Sequence, residues 1–321
     1  MTEFDGSYIA LSGGVGGAKL ALGLTRVLAP EQLTIVANTG DDFEHLGFSI
    51  SPDIDTVMYT LADVANKEFG WGQEGETWQF LDALTRLGGD TWFRLGDRDL
   101  ATHVVRTGML RSGASLSEVT SKLCRALGIA HPVVPMSDDP VPTTVITRSG
   151  ERLGFQEYFV REQCEPAVSG FEFVGIDAAA PSPAFGSALA DPRLKAVIIC
   201  PSNPFVSVDP VLYLPGVMDS IRAAAVPVIA VSPIVGGRAI KGPAAKMMAE
   251  LGMPQTALAV AKHYVGRVDG FVLDEEDAAS KTAVGELGMV PLVTNTVMVT
   301  IEDRVQLGRA TLEFARALSP G

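Results

Sequence analysis

The chain has 321 residues, enough for about two domains of roughly 150 residues each. Hydrophobic residues make up 47% and charged residues 20% of it, a globular composition that excludes a disordered chain. Acidic residues outnumber basic ones by 38 to 25, which gives a net charge of −13. Because nucleic acids and membrane surfaces attract positively charged proteins, this charge argues against a general binder of either.

The cysteines and the apolar runs indicate the compartment. Cys124, Cys164 and Cys200 are far apart and form no CxxC pair, so neither a zinc ribbon nor a redox motif is expected. Such sparse cysteines suit a reducing compartment. The acidic N-terminal segment has no signal-peptide pattern, and every apolar run is well short of the ~18 residues of a membrane span. We therefore expect a cytoplasmic protein without a membrane segment.

The N-terminal residues predict a βαβ unit. A short apolar run at residues 8–11 ends in a glycine cluster, and residues with helical spacing follow as far as Pro30. A second apolar run at residues 33–37 ends in the polar segment 38–42. This alternation of strand, loop and helix is typical of a parallel sheet.

The C-terminal third repeats this alternation. A helix is predicted from about Asp209 to Ala225. The predicted strands lie at residues 196–200, 226–231, 271–273 and 291–293. We therefore expect an α/β fold with a doubly wound, Rossmann-like parallel sheet, formed by residues 1–60 and 190–321. Ligands of such sheets bind outside the carboxyl ends of the strands, where four loops would converge: residues 12–17, 38–42, 202–204 and 232–237.

The middle of the chain follows another pattern. Residues 61–130 are predicted to be mostly helical, and three alternating runs at 141–147, 153–160 and 171–174 predict antiparallel strands. We interpret residues 61–189 as a smaller α+β insertion that caps the site.

A glycine-rich loop at residues 12–19 is the first candidate site. Glycines allow the backbone to approach a phosphate, and a following helix N-terminus supplies N–H donors. The sequence is neither a Walker motif nor a full dinucleotide fingerprint, because Lys19 follows Ala18 and replaces the third glycine. The alternative is a tight turn without a ligand, but four glycines in five residues favour phosphate binding.

Four acidic residues form the second candidate: Asp41, Asp42, Asp53 and Asp55. Carboxylates near bound phosphates repel them unless a hard cation lies between, and Mg²⁺ takes carboxylates together with phosphate oxygens. The alternative is helix capping, since Asp53 or Asp55 could cap the helix that begins near Thr56.

The third candidate is the segment Trp92–His103, which sets Arg94, Arg98 and His103 among acidic residues. These cations could hold an anion or orient an aromatic ligand, and Trp71, Trp78 and Trp92 could stack on a flat ring. The alternatives are a surface salt-bridge cluster and core tryptophans. The four histidines have no metal-site spacing and are each expected to be structural.

The chain resembles the CofD family of transferases in coenzyme F-420 biosynthesis over nearly its whole length. The resemblance rests on motifs in the same order, among them GGVGGAKL at 13–20, SPDIDT at 51–56, LGDRDLATH at 95–103 and SPIVGGRAIKG at 232–242. It implies transfer of a GDP-activated three-carbon phosphoacid to the ribityl 5′-hydroxyl of the deazaflavin Fo, with loss of GMP and a requirement for Mg²⁺. Phosphoryl transfer of this kind depends on positioning and charge neutralisation.

The same resemblance implies roles for individual residues. Residues expected along the nucleotide are Gly13, Gly14, Gly16, Gly17, Lys19, Asn38, Ser202, Asn203, Ser232 and Ile234. Asp41 and Asp53 are expected to bind the metal. Asp55, Arg94 and Trp92 are expected to meet Fo. Asp41 and Asp55 are the expected catalytic residues, with Asp55 orienting the ribityl hydroxyl or accepting its proton.

The donor and the partners stay open within the family. The phosphoacid is 2-phospholactate, phosphoenolpyruvate or 3-phosphoglycerate, and one sequence does not distinguish them. The resemblance also implies a homodimer and a working complex with the guanylyltransferase that makes the donor. The rival is a non-enzymatic nucleotide-sugar-binding regulator of the gluconeogenesis-factor type, which shares the glycine loop but lacks the aspartates of SPDIDT and the LGDRDLATH segment.

Overall fold

A computed structural model describes residues 4–240 and 242–319. Its strands are β1 Ser7–Ser12, β2 Leu33–Ala37, β3 Phe43–His45, β4 Phe48–Ile50, β5 Val133–Pro135, β6 Thr143–Thr147, β7 Arg152–Gly154, β8 Val168–Phe173, β9 Leu194–Ile199, β10 Val228–Val231, β11 Ile234–Val235, β12 Arg238–Ala239, β13 Gly270–Leu273 and β14 Val290–Val293. Its α-helices are α1 Gly14–Thr25, α2 Pro52–Leu61, α3 Gln79–Arg86, α4 Asp97–Arg111, α5 Leu116–Ala126, α6 Pro183–Leu189, α7 Asp209–Leu212, α8 Val217–Ala224, α9 Ala244–Glu250, α10 Ala257–His263, α11 Lys281–Glu286 and α12 Ile301–Leu318. None of the helices in these ranges combines the length and the apolar composition needed to cross a membrane.

Seven strands form one central sheet in the order β14-β13-β10-β9-β1-β2-β5. Every neighbouring pair in it is parallel. Leu11 of β1 pairs with Val36 of β2 on one side and with Ile199 of β9 on the other. The predicted doubly wound α/β fold is therefore confirmed.

Both faces of the central sheet are buried, because a hydrophobic core packs on each of them. Successive side chains of a strand point to opposite faces and so enter different cores. Leu11 packs into the hydrophobic core on one face and Ala10 into the core on the other. Helices α1, α2 and α12 cover the second face. α1 and α12 approach so closely that a Cβ at Gly23 would lie 2.0 Å from the carbonyl oxygen of Arg304.

The strand order reverses between β1 and β9, which creates a crevice at their carboxyl ends. Ser202, just after β9, accepts a hydrogen bond from the backbone N–H of Gly13 at 3.0 Å. It also donates to the carbonyl oxygen of Gly13 at 2.8 Å. The loops after these two strands therefore meet at the switch point of the sheet.

The middle of the chain contains the expected antiparallel strands, in the order β7-β6-β8. β5 comes from the same range, residues 61–189, but it pairs in parallel with β2 and lengthens the central sheet. Residues 61–189 are therefore not, as predicted, wholly an insertion outside the central sheet, because one of their strands belongs to it. Val133 and Val134 are both buried there, because the edge of a doubly wound sheet is covered by helices.

Two predicted elements are wrong in part. The helix expected from Asp209 to Ala225 is interrupted between α7 and α8, where Gly216 adopts a left-handed conformation with φ 80°. The strand expected at residues 153–160 ends at Gly154, and a π-helical turn at Glu157–Arg161 replaces the rest. A Glu157 carboxylate oxygen accepts a hydrogen bond from the backbone N–H of Gly154 at 3.2 Å, which closes this turn.

Candidate functional site

A cavity of about 720 Å³ lies at the crevice. The predicted site residues on its wall are Gly13, Gly14, Gly16, Lys19, Asp41, Asp53, Asp55, Trp92, Arg94, Ser202, Asn203 and Ser232. Three others stand behind the wall. Asn38 and Ile234 are fully buried, and a Cβ at Gly17 would meet the Ser202 hydroxyl at 2.5 Å. The four loops therefore converge on one cavity, as their positions after the strands predict.

The glycine loop is itself the first turn of α1, which begins at Gly14. A Cβ at Gly16 would lie 2.3 Å from the carbonyl oxygen of Pro201, so the backbone must stay bare there. The N–H of Gly14 donates to Oδ1 of Asp53 at 2.6 Å. The Asp53 carboxylate thus occupies the N-terminus of α1, where a helix favours an anion. Its own helix, α2, has Ser51 as N-cap residue and no side-chain cap.

Asp41 and Asp53 share one amide partner. The Nδ2 group of Asn38 donates to Asp41 at 3.1 Å and to Asp53 at 2.9 Å. Burial and repulsion by Asp53 raise the pKa of Asp41 well above its ordinary value. Burial raises the pKa of Asp53 to about 6, although the bonds from Asn38 and Gly14 lower it. These hydrogen-bond partners are neutral, so the pair fits a site that a cation completes.

Asp42 takes another position. It is absent from the cavity wall, and its Oδ2 atom accepts a hydrogen bond from the Ser51 hydroxyl at 2.8 Å. Burial raises its pKa well above the ordinary value, against the effect of Ser51. Of the two consecutive aspartates, only Asp41 faces the cavity.

Asp55 has a charged partner. Arg106 donates to both of its carboxylate oxygens, from Nη1 at 3.0 Å and from Nη2. Arg106 is fully buried under the wall. Burial would lower the pKa of Arg106, but the charge of Asp55 raises it above its ordinary value. This guanidinium therefore stays charged and fixes the orientation of the carboxylate.

The same guanidinium also contacts His103, whose Nδ1 atom lies 3.1 Å from Nη1 of Arg106. Arginine has no acceptor, so Nδ1 accepts and the ring proton is on Nε2. Nε2 faces Oδ2 of Asp99 at 3.3 Å, and the Tyr59 hydroxyl donates to Oδ1 of Asp99 at 2.7 Å. Burial would raise the pKa of Asp99, but His103 and Tyr59 lower it below its ordinary value.

Aromatic side chains also line the cavity. Trp92 and Phe93 pack edge to face with ring centroids 5.6 Å apart. Trp71 lines the cavity with 41% of its surface exposed. The Arg94 guanidinium lies 4.3 Å from the ring centroid of Trp78, which holds this cation beside the cavity. Trp92 and Trp71, but not Trp78, are placed to meet a flat ligand.

Other polar side chains on the wall form hydrogen bonds with backbone groups. Lys19 Nζ donates to the carbonyl oxygen of Met298 at 3.0 Å. The Ser232 hydroxyl donates to the carbonyl oxygen of Ile234 at 2.8 Å and accepts from its N–H at 3.2 Å. Asn203 accepts from the backbone N–H of Phe205 at 3.0 Å. Ser202, Ser232 and Asn203 therefore shape the loops at the cavity as well as lining it.

Sequence reasoning missed Asp99, Arg106 and Tyr59. It named His103 only as a possible cation for an anion or an aromatic ligand, beside the expectation that each histidine is structural. The signal was present on α4, since Asp99, His103 and Arg106 are spaced i, i+4 and i+7 and thus share one face. Spacing between histidines alone does not contain this signal, because the partners of His103 on the helix are an aspartate and an arginine.

Two groups of residues could hold a metal. Asp41 and Asp53 offer hard carboxylate oxygens beside the glycine loop, which suits Mg²⁺. Asp55, Asp99 and His103 have potential ligand atoms within 4.8 Å of one another. However, the Arg106 guanidinium occupies Asp55 and the Nδ1 atom of His103. A divalent cation there would lie against this fixed positive charge, so the Asp41–Asp53 pair is the better metal site.

Comparison with known proteins identifies the family. The family model described as 2-phospho-L-lactate transferase CofD matches residues 9–304. The chain belongs to the CofD family. Phosphoenolpyruvate transferase of Streptomyces coelicolor is 39% identical over 312 residues, which cover 96% of this chain and 97% of that protein. The 2-phospho-L-lactate transferase of Methanosarcina mazei is 37% identical over 305 residues, with coverage of 95% and 99%.

A solved structure of a upf0052 family member from Bacillus halodurans shares the fold of this CofD protein. It aligns with a TM-score of 0.61 at 14% identity and covers 96% of this chain and 99% of that one. At this identity the likeness concerns the fold alone, whereas the family model and the relatives identify a transferase of a phosphoacid group.

Proposed function

We propose that this CofD protein joins a GDP-activated three-carbon phosphoacid to the ribityl 5′-hydroxyl of Fo and releases GMP. The product is coenzyme F-420-0 or its dehydro or 3-phosphoglycerate analogue. One observation carries the proposal: a single cavity is lined by the glycine loop, by Asp41 and Asp53, and also by Asp55 and aromatic side chains. A nucleotide donor and a flat acceptor with a hydroxylated chain fit this combination.

The donor's phosphates are proposed to lie at the glycine loop. The N-terminus of α1 directs backbone N–H groups toward the cavity, and Lys19 lies on the same wall. Ser202, Asn203 and Ser232 would hold the guanosine part. Gly17, Asn38 and Ile234 would act from behind the wall, by supporting the residues that touch the nucleotide.

Mg²⁺ is proposed to bind at Asp41 and Asp53. The raised pKa of each buried carboxyl reflects unfavourable ionisation without a cation. Asn38 holds both carboxyls in place. When bound, Mg²⁺ would neutralise the charge of the donor's phosphate oxygens. Asp53 would then exchange its bond to Gly14 for the metal and leave that N–H to a phosphate.

The acceptor is proposed to lie against Trp92, with Arg94 near its ring system and Asp55 at its ribityl chain. Arg106 leaves each Asp55 oxygen a further lone pair, so this carboxylate can accept a hydrogen bond from the 5′-hydroxyl. The hydroxyl oxygen forms the new bond to phosphorus and would give its proton to Asp55, while the bond from phosphorus to the GMP oxygen breaks and GMP leaves with that oxygen. Catalysis then comes from aligning these groups.

A coupled assay tests the proposal. It offers Fo, GTP, Mg²⁺ and a guanylyltransferase with each of the three phosphoacids in turn, and the product is weighed by mass spectrometry. We expect a phosphodiester of Fo with at least one phosphoacid. Asp55→Asn should abolish turnover while GDP binding survives, because the amide keeps the size of the side chain and the proposed donor contacts lie on other residues; urea unfolding of the variant measures what the lost pairing with Arg106 costs. Near-normal turnover of this variant would reject the role of Asp55.

A binding assay separates the enzyme from the regulator. Fo and UDP-N-acetylglucosamine are titrated against the same protein, and binding of Fo is expected. Tight binding of the sugar nucleotide with none of Fo would contradict the transferase. A homodimer and a complex with the guanylyltransferase complete the proposal. A cytoplasmic location agrees with three buried free cysteines.

A further inference from the structure

Three polar residues on the cavity wall near Asp55 have no role in the proposed transferase chemistry: Tyr59, Asp99 and His103. Asp55, Tyr59, Asp99 and His103 all line the cavity. Arg106, which contacts Asp55 and His103, is itself fully buried.

His103 has a poorly paired donor at this wall, because its Nε2 atom lies 3.3 Å from Oδ2 of Asp99 without good alignment. Its side chain is 1% exposed, and the structure gives its Nε2 atom no well-aligned hydrogen-bond partner among the described residues. Because Arg106 uses Nδ1, the proton on Nε2 is fixed. A buried donor with an imperfect bond to its partner is costly, so the arrangement is suited to a ligand atom that accepts a hydrogen bond.

Asp99 supplies the complementary acceptor. Its Oδ2 atom lies 3.3 Å from Nε2 of His103, while its Oδ1 atom is held by Tyr59. A neighbouring donor and acceptor together match an alcohol hydroxyl, which both accepts and donates. The Oδ2 atom of Asp55 lies 3.8 Å from Nδ1 of the same imidazole. A second hydroxyl of the same ligand would therefore find another acceptor nearby.

We propose that Asp99 and His103 form a subsite for a hydroxyl of the acceptor's polyol chain, with Arg106 as the positioning residue for both His103 and Asp55. The inference rests on the proposed function, since Fo carries its hydroxyls on the ribityl chain. It assigns the subsite to a polyol and not to a cation, because the guanidinium already supplies the positive charge there.

The test measures binding rather than turnover. The fluorescence of the deazaflavin is titrated with the full-length protein for two ligands: Fo, and an analogue with an N10-methyl group in place of the ribityl chain. Asp99→Asn and His103→Ala are each expected to weaken Fo binding at least about tenfold. Binding of the methyl analogue should stay unchanged in both variants, because it has no chain to read.

Arg106→Lys tests the positioning role, with Arg111→Lys on the same helix as its control. Long-range ¹H–¹⁵N spectra should show His103 with its proton on Nε2 in the wild type and a changed signature in Arg106→Lys only. The His103 signal is identified by its loss in His103→Ala. A proton on Nδ1 in the wild type would overturn the proposal.

The other outcomes are equally decisive. Equal losses for Fo and for the methyl analogue would reduce Asp99 and His103 to structural residues, and unchanged Fo binding would remove the subsite altogether. Mn²⁺ binding by calorimetry to Asp41→Ala, lost on adding His103→Ala, would replace the polyol subsite with a metal site. A wild type that binds neither deazaflavin overturns the proposed function as well, whereas Fo binding by the wild type keeps the two questions separate.

Discussion

Two aspartates on one helix, Asp53 and Asp55, differ in the charge of their hydrogen-bond partners. Both lie in the first turn of α2 and both are buried. Residues two positions apart on a helix point about 200° away from each other, so Asp53 faces the glycine loop and Asp55 faces α4. Asp53 has the neutral partners Gly14 and Asn38, whereas Asp55 has the charged partner Arg106.

Asp53 therefore needs a cation from solution, whereas Asp55 already has one in the side chain of Arg106. Burial raises the pKa of Asp53 to about 6, as expected of an acid without a counter-ion. Asp55 is oriented permanently, before any ligand arrives. Four substitutions break or sharpen this contrast.

Arg106→Met removes the built-in cation and leaves Asp55 buried without a charged partner. Loss of one member of a buried pair costs about 3–5 kcal/mol of the free energy of unfolding. Urea unfolding measures it, with Arg111→Met as the control, since Arg111 is exposed and donates to the carbonyl oxygen of Gly47. Equal losses in the two variants would contradict the pairing.

Asp41→Ala removes one proposed ligand of the supplied cation. We expect turnover to fall about a hundredfold, or about 2.7 kcal/mol, and the Mg²⁺ concentration for half-maximal activity to rise. Glu44→Ala is the control, because Glu44 is an exposed carboxylate on β3. An unchanged magnesium titration would exclude Asp41 from the metal site.

Asp53→Asn should change how the stability of the metal-free protein depends on pH. The pKa of Asp53 is about 6 in the folded protein against an ordinary 3.8, so the folded state holds the proton more tightly. Ionisation of Asp53 therefore costs stability as the pH rises from about 4 through 6. The variant lacks this cost and should gain on the order of 2–3 kcal/mol over the wild type between pH 4 and pH 7.5. A difference in unfolding free energy that stays constant over this interval would count against the raised pKa.

Gly16→Ala tests the close approach between the backbone of the glycine loop and that of Pro201. The added methyl group would lie 2.3 Å from the carbonyl oxygen of Pro201, and we expect a loss of about 1–3 kcal/mol with weaker GDP binding. Gly108→Ala on α4 is the matched control, because a Cβ there meets nothing within 4 Å. It should stabilise the protein by about 0.5–1 kcal/mol. Calorimetric melting and GDP titration of the two variants decide the point.

The sequence predicted the frame of the site because its signals are local. Apolar runs locate the strands, and the glycine cluster after β1 locates the start of α1. Parallel strands bring their carboxyl ends to one edge, so the convergence of Asp41, Asp53 and Ser202 on one cavity followed from their positions after strands or near them. The errors arose where local patterns are ambiguous, as in the π-helical turn at Glu157–Arg161, whose apolar residues also suit a strand.

The amino-acid sequence by itself determined the parallel fold, the glycine loop and the kinship with the CofD family, since each depends on neighbouring residues or on motif order. Only the tertiary structure decided which acid has which partner. Arg106 meets Asp55 from 51 residues away, and Ser202 meets Gly13 from 189. Burial and charge pairing between such distant residues set the pKa and orientation of a carboxyl group, and no local pattern contains them.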